Sequence, residues 1–476
     1  MKKKILLFLI IAILIWLIIG IFLFAGPKPE EPITEIPTAP PVLTATPTAE
    51  PTPTPAMTPT PSPTPTPSPK PIVVVTDAPA HVPDFTPAPT NTPTESIPAD
   101  IDWYQHMRNT SILSTGTNGR LEKVIEKIQN GEKVTVLAYG GSITEGAGAQ
   151  NFSYSYGEQF IYALQETYPC SAIHYHNSGL GGTPSTLGLM RYQRDVIDVI
   201  GENPDLVILE FAVNDYEEPT DGRAYESLVR TILENDEDTA VILLFSVFQN
   251  KWNLQDRYIP IGEHYGLPMV SIKDAIATAY ATNQLTDGEY FADIYHPTDY
   301  GHKITADCLA ELFTRVSEQD ASLPITPVPE TDVYGTDFRG MRLITSKDGA
   351  GTVVAPGSFS SQDTALQTFA RTTAAAFPDN WHHIAENGTE SLTLELTCKN
   401  ILLTFKLSIS QDFGKASVYI DNNYIMDLNG YLKGAWNNTD TVLLLDDETA
   451  APHVLEIRMS EGQEAKKFTV LGIGYS

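Results

Sequence analysis

A serine hydroxyl attacks a carbonyl at neutral pH only when a base removes its proton, and an imidazole serves as that base when a carboxylate holds its tautomer. The chain carries these three groups in order. Ser142 stands in Gly140-Gly141-Ser142-Ile143-Thr144, and Asp293 and His296 stand three apart in Asp293-Ile294-Tyr295-His296-Pro297. At that spacing the carboxylate can bond one imidazole nitrogen while the other faces a serine delivered from elsewhere in the fold. Pro297 stiffens the turn that follows. Two further segments suit an oxyanion hole, whose donors stabilise a tetrahedral intermediate by roughly 3 kcal/mol each. Ser178-Gly179-Leu180-Gly181-Gly182-Thr183 leaves backbone N–H groups uncovered around Gly182, and Ala212-Val213-Asn214-Asp215 presents the Asn214 amide. Singly, each segment also reads as a turn, a helix cap or a flexible loop. Together they point to a hydrolytic serine site.

The elements that must position these groups follow from periodicity. Residues 133–139 read as a short buried strand, and the two glycines after it let the chain turn sharply into Ser142. Residues 206–211 form a second strand candidate with Asn214 just beyond its end. Further strands are expected over 172–176, 240–245 and 269–271. Leu121, Val124, Ile125 and Ile128 repeat at helical spacing and Gly131 ends that helix. Other helices are expected near 156–166, 187–200, 223–235, 254–265 and 301–316. This alternation predicts a three-layer α/β/α fold, a parallel sheet with helices on both faces. Ligands of such sheets bind at the C-terminal strand ends, where Ser142 and Asn214 fall.

Over residues 120–316 the four segments resemble the SGNH hydrolase superfamily, also called the GDSL esterase and lipase family. The resemblance implies that Ser142 is the nucleophile, His296 the base and Asp293 its orienting acid. It implies oxyanion donors at the Ser142 N–H, Gly182 and Asn214. Gly141 stands where the family usually has Asp, a variant similar to the Gly-Gly-Ser-Ile-Thr branch among carbohydrate esterases, and Ala212 replaces the Gly that usually opens the third block. The expected activity is hydrolysis of acyl esters, O-acetyl foremost, on a polysaccharide through an acyl-enzyme. Two alternatives stay open: an O-acetyltransferase built on the same residues, and a non-catalytic carbohydrate-binding surface protein.

The flanking sequence supplies an address and a second module. Met1-Lys2-Lys3-Lys4 precedes an apolar run over residues 5–25, close to the roughly 20 residues that cross a bilayer. Bulky residues at its exit argue against signal-peptidase cleavage, so residues 1–26 are expected to be a single-pass anchor with a cytoplasmic N-terminus and an extracellular remainder. Residues 27–99 are rich in Pro and Thr, a composition that stays disordered and extended and could span at most roughly 200 Å. The hydrolase domain is expected over 100–320 and a short linker over 321–333. Period-two patterning from 334 to 476, with strands at 391–397, 401–409, 416–420, 441–445, 454–459 and 468–473, predicts an all-β sandwich or jelly roll. It is loosely similar to the jelly-roll modules that accompany carbohydrate esterases. Its Tyr419, Tyr424, Tyr431 and Trp436 are candidates for stacking on sugar rings, although strand aromatics are more often core. The module is also a candidate to cover or complete the active-site cleft.

A formal charge of -29 argues against nucleic acid as a partner of the soluble part. Cys170, Cys308 and Cys398 are scattered and odd in number, which excludes a disulfide framework, and no Cys/His cluster has zinc-like spacing. Neither a metal nor a cofactor is expected. His382-His383 reads as a loop or surface feature.

Overall fold

The computed structural model describes residues 102–117, 119–319, 324–348 and 353–476. The membrane anchor and the stalk expected over residues 1–99, and residues 321–323 of the linker, lie outside them. Among the described residues no helix is long and apolar enough to cross a membrane.

The first sheet contains β1 (Ile112–Ser114), β2 (Lys133–Gly140), β3 (Ala172–Asn177), β4 (Leu206–Glu210), β5 (Ala240–Phe245) and β6 (Met269–Ser271), in the order β1-β6-β5-β4-β2-β3. β2 through β6 pair in parallel. β1 joins β6 antiparallel, so the sheet is mixed rather than wholly parallel. At three residues β1 is too short to show a period, and it escapes a reading based on alternation.

Burial on both faces explains why these strands are nearly continuous apolar runs. Val134, Val136, Leu206, Ile208, Ala240, Ile242 and Leu244 point into one core with the helices Gly119–Gln129, Tyr156–Thr167, Ile272–Ala281 and Asp299–Ser317. Their neighbours Leu137, Tyr139, Val207, Leu209, Val241, Leu243 and Phe245 point into the other, with helices Ser185–Tyr192, Arg223–Asn235 and Gln255–Tyr265. Each fully buried Leu or Val contributes about 1.5–3 kcal/mol, so a charge at any of these strand positions would unfold the sheet.

The C-terminal region is an antiparallel β-sandwich of β7 (Arg342–Ile344), β8 (Val353–Ala355), β9 (Trp381–His383), β10 (Leu392–Lys406), β11 (Lys415–Ile420), β12 (Asn423–Asn429), β13 (Thr439–Met459) and β14 (Phe468–Tyr475). The strands expected separately at 391–397 and 401–409 are one strand, β10, and those at 441–445 and 454–459 are both part of β13. Register breaks at Cys398/Asn400 and Ile401/Leu402 let the paired ribbon bend without ending. His382 and His383 are buried strand residues rather than a surface feature. Each is satisfied internally, His382 by Thr469 Oγ1 at 2.8 Å and His383 by Ser358 Oγ at 2.8 Å.

The sandwich docks on the α/β domain. Leu402, Leu443 and Leu471 share a core with Leu187 and Met190 of helix Ser185–Tyr192. A Cβ on Gly474 would lie 2.8 Å from Met190 Cγ, so a side chain there would push the methionine aside. The linker is strapped down too: the buried Glu226 carboxylate accepts the backbone N–H groups of Val333, Tyr334 and Gly335 at 2.7, 2.6 and 3.0 Å. Arg223 adds a two-pronged bond to Asp446 at 3.1 and 2.6 Å.

Candidate active site

Three adjacent strands deliver three of the four segments to one end of the sheet. Ser142 follows β2, the Asn177–Gly182 loop follows β3, and Asn214 follows β4, whose neighbours β3 and β4 flank β2 on opposite sides. The crevice therefore lies where the chain crosses from one side of β2 to the other. His296 arrives on the loop between helices Asp287–Tyr290 and Asp299–Ser317.

Ser142 opens a one-turn helix, Ser142–Glu145, that Gly146 closes in the left-handed conformation. His296 Nε2 lies 3.0 Å from Ser142 Oγ, and His296 Nδ1 lies 2.9 Å from Asp293 Oδ2. A carboxylate can only accept, so Nδ1 carries the proton and Nε2 is left to accept from the serine. Asp293 Oδ1 also takes the backbone N–H groups of Tyr295 and His296 at 2.8 and 2.9 Å. Partial burial pushes the Asp293 carboxyl up, but the bonds from the His296 side chain and from these two amides outweigh it and hold it below the usual range. Asp293 is thus an anion across the neutral range.

Gly182 has φ +66 and its backbone faces solvent beside this group, a conformation that favours glycine. The Asn214 amide lies against the Gly141 Cα, one residue from Ser142: a Cβ on residue 141 would sit 2.1 Å from Asn214 Oδ1. The structure brings Ser142, Asp293, His296, Gly182 and Asn214 to one crevice.

A buried polar frame that sequence reasoning left unassigned holds these parts. The Asp215 carboxylate accepts the Ser185 N–H at 2.6 Å and the Tyr258 hydroxyl, tying the Asn214 turn to the helix after Gly182. Arg191, fully buried, donates to Ser178 O at 2.8 Å and Gly140 O at 3.4 Å, joining the first and second segments. His302 accepts the Tyr156 N–H on Nδ1 and binds Ala147 O through Nε2, and burial lowers its pKa to about 4, so it is a neutral strut rather than a second base. Glu210, at the end of β4, takes the Thr144 hydroxyl at 3.1 Å.

Glu210 carries a pH signature. Burial pushes its carboxyl up to about 7 against an ordinary 4.5, with the Thr144 and Ser246 hydroxyls opposing. The folded state binds this proton more tightly than the unfolded one, so the associated stability is complete below about pH 4.5 and is lost as pH rises toward 7, roughly 3 kcal/mol in all. Burial also pushes the Asp215 carboxyl up to about 7, so Glu210→Gln is expected to reduce the overall slope rather than abolish it. Urea unfolding of both forms at pH 5 and pH 7.5 checks it, and an unchanged difference between the two pH values would refute the assignment.

The sandwich reaches the crevice as well. The exposed Trp436 ring lies over the Gly181-Gly182 turn, within 3.6 Å of where a Gly181 Cβ would be. The hairpin at 367–376 sends Gln367 Nε2 to Gly181 O at 2.8 Å and Ala370 N to Glu145 Oε1 at 2.9 Å. Of the other aromatic candidates, Tyr419 and Tyr424 pair edge-to-face across the β11–β12 hairpin.

Residues 138–304 match the family model of the GDSL-like lipase/acylhydrolase family. Among solved structures, the chain is similar to a two-domain esterase (CEX) active on acetylated mannans. That protein is 27% identical with a TM-score of 0.67, over 78% of this chain and 98% of the other. The same esterase co-crystallized with mannopentaose matches at 26% identity and TM-score 0.67, over 78% and 97%. No curated protein sequence matches the chain. The α/β region that carries Ser142 and His296 is a GDSL-like lipase/acylhydrolase (SGNH) hydrolase domain, joined to a C-terminal antiparallel β-sandwich.

Proposed function

We propose that the chain is a serine esterase that removes acetyl groups from an acetylated polysaccharide, with a mannan as the first candidate. The observation that carries this reading is the continuous relay from Asp293 through His296 to Ser142 Oγ. Ser142 Oγ attacks the ester carbonyl as its proton passes to His296 Nε2, and Asp293 stabilises the imidazolium. The oxyanion is received by the Ser142 and Gly182 N–H groups and the Asn214 amide. Collapse returns the His296 proton to the departing sugar oxygen and leaves acetyl-Ser142. Water, deprotonated by His296, then releases acetate and restores the serine.

Likeness to an esterase active on acetylated mannans, over both domains, supports the substrate class. Trp436 supports it too, as an exposed aromatic face beside the oxyanion turn that suits the apolar face of a sugar ring. Trp436→Ala is expected to raise KM for acetylated mannan about 10-fold and to leave hydrolysis of a small aryl acetate within about twofold of wild type. Equal losses on both substrates would refute the platform. The apolar run at residues 5–25 supports a single-pass surface anchor with residues 27–99 as its stalk. Deleting residues 1–26 should move the protein from the membrane fraction to the soluble one.

The direct test measures acetate released from acetylated mannan, acetylated xylan and an aryl acetate, with Ser142→Ala alongside. Release that vanishes in the variant supports the esterase and ranks its glycans. Turnover that requires an added sugar acceptor would instead favour acyl transfer.

A further inference from the structure

Resting on the serine-esterase reading, we propose that Gln367 of the β-sandwich is a positioning residue for the oxyanion hole, aiming the Gly182 N–H at the reacting carbonyl oxygen. The Gly181 C=O and the Gly182 N–H belong to one planar trans peptide and point in opposite directions, so whatever holds the carbonyl also sets the direction of the N–H. Gly181 and Gly182 bring no side chain to restrict that plane, and the turn stands at φ +66. Gln367 Nε2 donates to Gly181 O at 2.8 Å.

The Gln367 carboxamide has one orientation available. Its oxygen accepts the Thr439 N–H at 3.0 Å and the Thr439 hydroxyl at 3.1 Å, and a backbone N–H can only donate. The NH2 group is therefore turned to Gly181, and Gln367 is 4% exposed. Its backbone is braced by the Ala376 N–H on Gln367 O at 2.8 Å. A second contact holds the preceding peptide of the turn, through the Gly181 N–H. Burial raises the Glu145 carboxyl, and N–H groups of Ala370, from the Gln367 hairpin, and Gly181 counter it. A hydrogen bond to the carbonyl also polarises the peptide and strengthens its N–H as a donor. The sandwich thus takes part in the chemistry through the oxyanion turn, apart from any sugar that Trp436 binds.

The test uses the protein with its sandwich in place and an aryl acetate as substrate. Gln367→Met keeps the length and loses all three side-chain hydrogen bonds. Gln367→Glu keeps the acceptor for Thr439 and sets a carboxylate against the Gly181 carbonyl. Expected are a fall in kcat on the order of 10-fold for Met and a larger one for Glu, with KM within about twofold. Phosphonylation of Ser142 by an aryl phosphonate should slow in parallel, since its phosphoryl oxygen uses the same donors. Wild-type kcat in either folded variant, or a change confined to KM, would overturn the proposal. Ser142→Ala separates the two readings: if it hydrolyses the ester as wild type does, the serine-esterase reading fails. If it is inactive while Gln367→Met is fully active, only the role of Gln367 fails.

Discussion

Ser142→Ala and His296→Ala are each expected to lower kcat for ester hydrolysis by on the order of 10⁶-fold, and the double variant to be no slower than either. The reason is geometric. Ser142 Oγ is 3.0 Å from His296 Nε2, and His296 Nδ1 bonds the Asp293 carboxylate, so the serine without the imidazole keeps its proton and the imidazole without the serine has no acyl acceptor. What survives in all three variants is water attacking a carbonyl polarised by Gly182 and Asn214, worth about 10³–10⁴ over bulk water. Asp293→Ala is expected to cost less, about 10⁴-fold, because His296 still reaches Ser142 but loses the partner that keeps the proton on Nδ1. Single-turnover acetate release with an aryl acetate measures all four variants. Additive losses in the double variant would show that Ser142 and His296 do not act as a unit.

The candidate triad was legible because each residue sits in a local motif attached to an element with a clear period. Gly140-Gly141-Ser142 ends a buried apolar run, and Asp293 and His296 are close enough in sequence to predict their own contact. The frame around them was not legible, because it is made by residues distant in sequence whose types have ordinary structural uses. Gln367 and Gly181 are 186 positions apart, and nothing around Gln367 distinguishes it from a surface glutamine. Trp436 was one of four candidate aromatics, and only its placement over the Gly181-Gly182 turn connects it to the chemistry. Long strands that bend at bulges defeated boundary reading in the sandwich, as at Lys399-Asn400 in β10. The sequence offered the C-terminal module only as a candidate to cover or complete the cleft; the contacts that bring it near are the packing of Leu402, Leu443 and Leu471 against helix Ser185–Tyr192.

Asn214→Ala should lower kcat about 10²–10³-fold, with KM for a small ester little changed, since the amide is invoked only when negative charge develops on the carbonyl oxygen. Gly141→Asp should approach the same loss without touching a reacting group. A Cβ on residue 141 would lie 2.1 Å from Asn214 Oδ1 and 2.5 Å from its Cγ, so the amide must leave its place beside Ser142. Both variants then act through one donor, and combining them tells this from a general disturbance of the turn. With Asn214 already cut to Ala, the space next to residue 141 is open, and adding Gly141→Asp should cost little more. A double-mutant cycle in kcat is therefore expected to show strong coupling, with the double variant close to Asn214→Ala alone. Independent losses that multiply would mean that Gly141 serves the turn into Ser142 rather than the room that Asn214 occupies. The chain would then hold its oxyanion amide in place by some other contact.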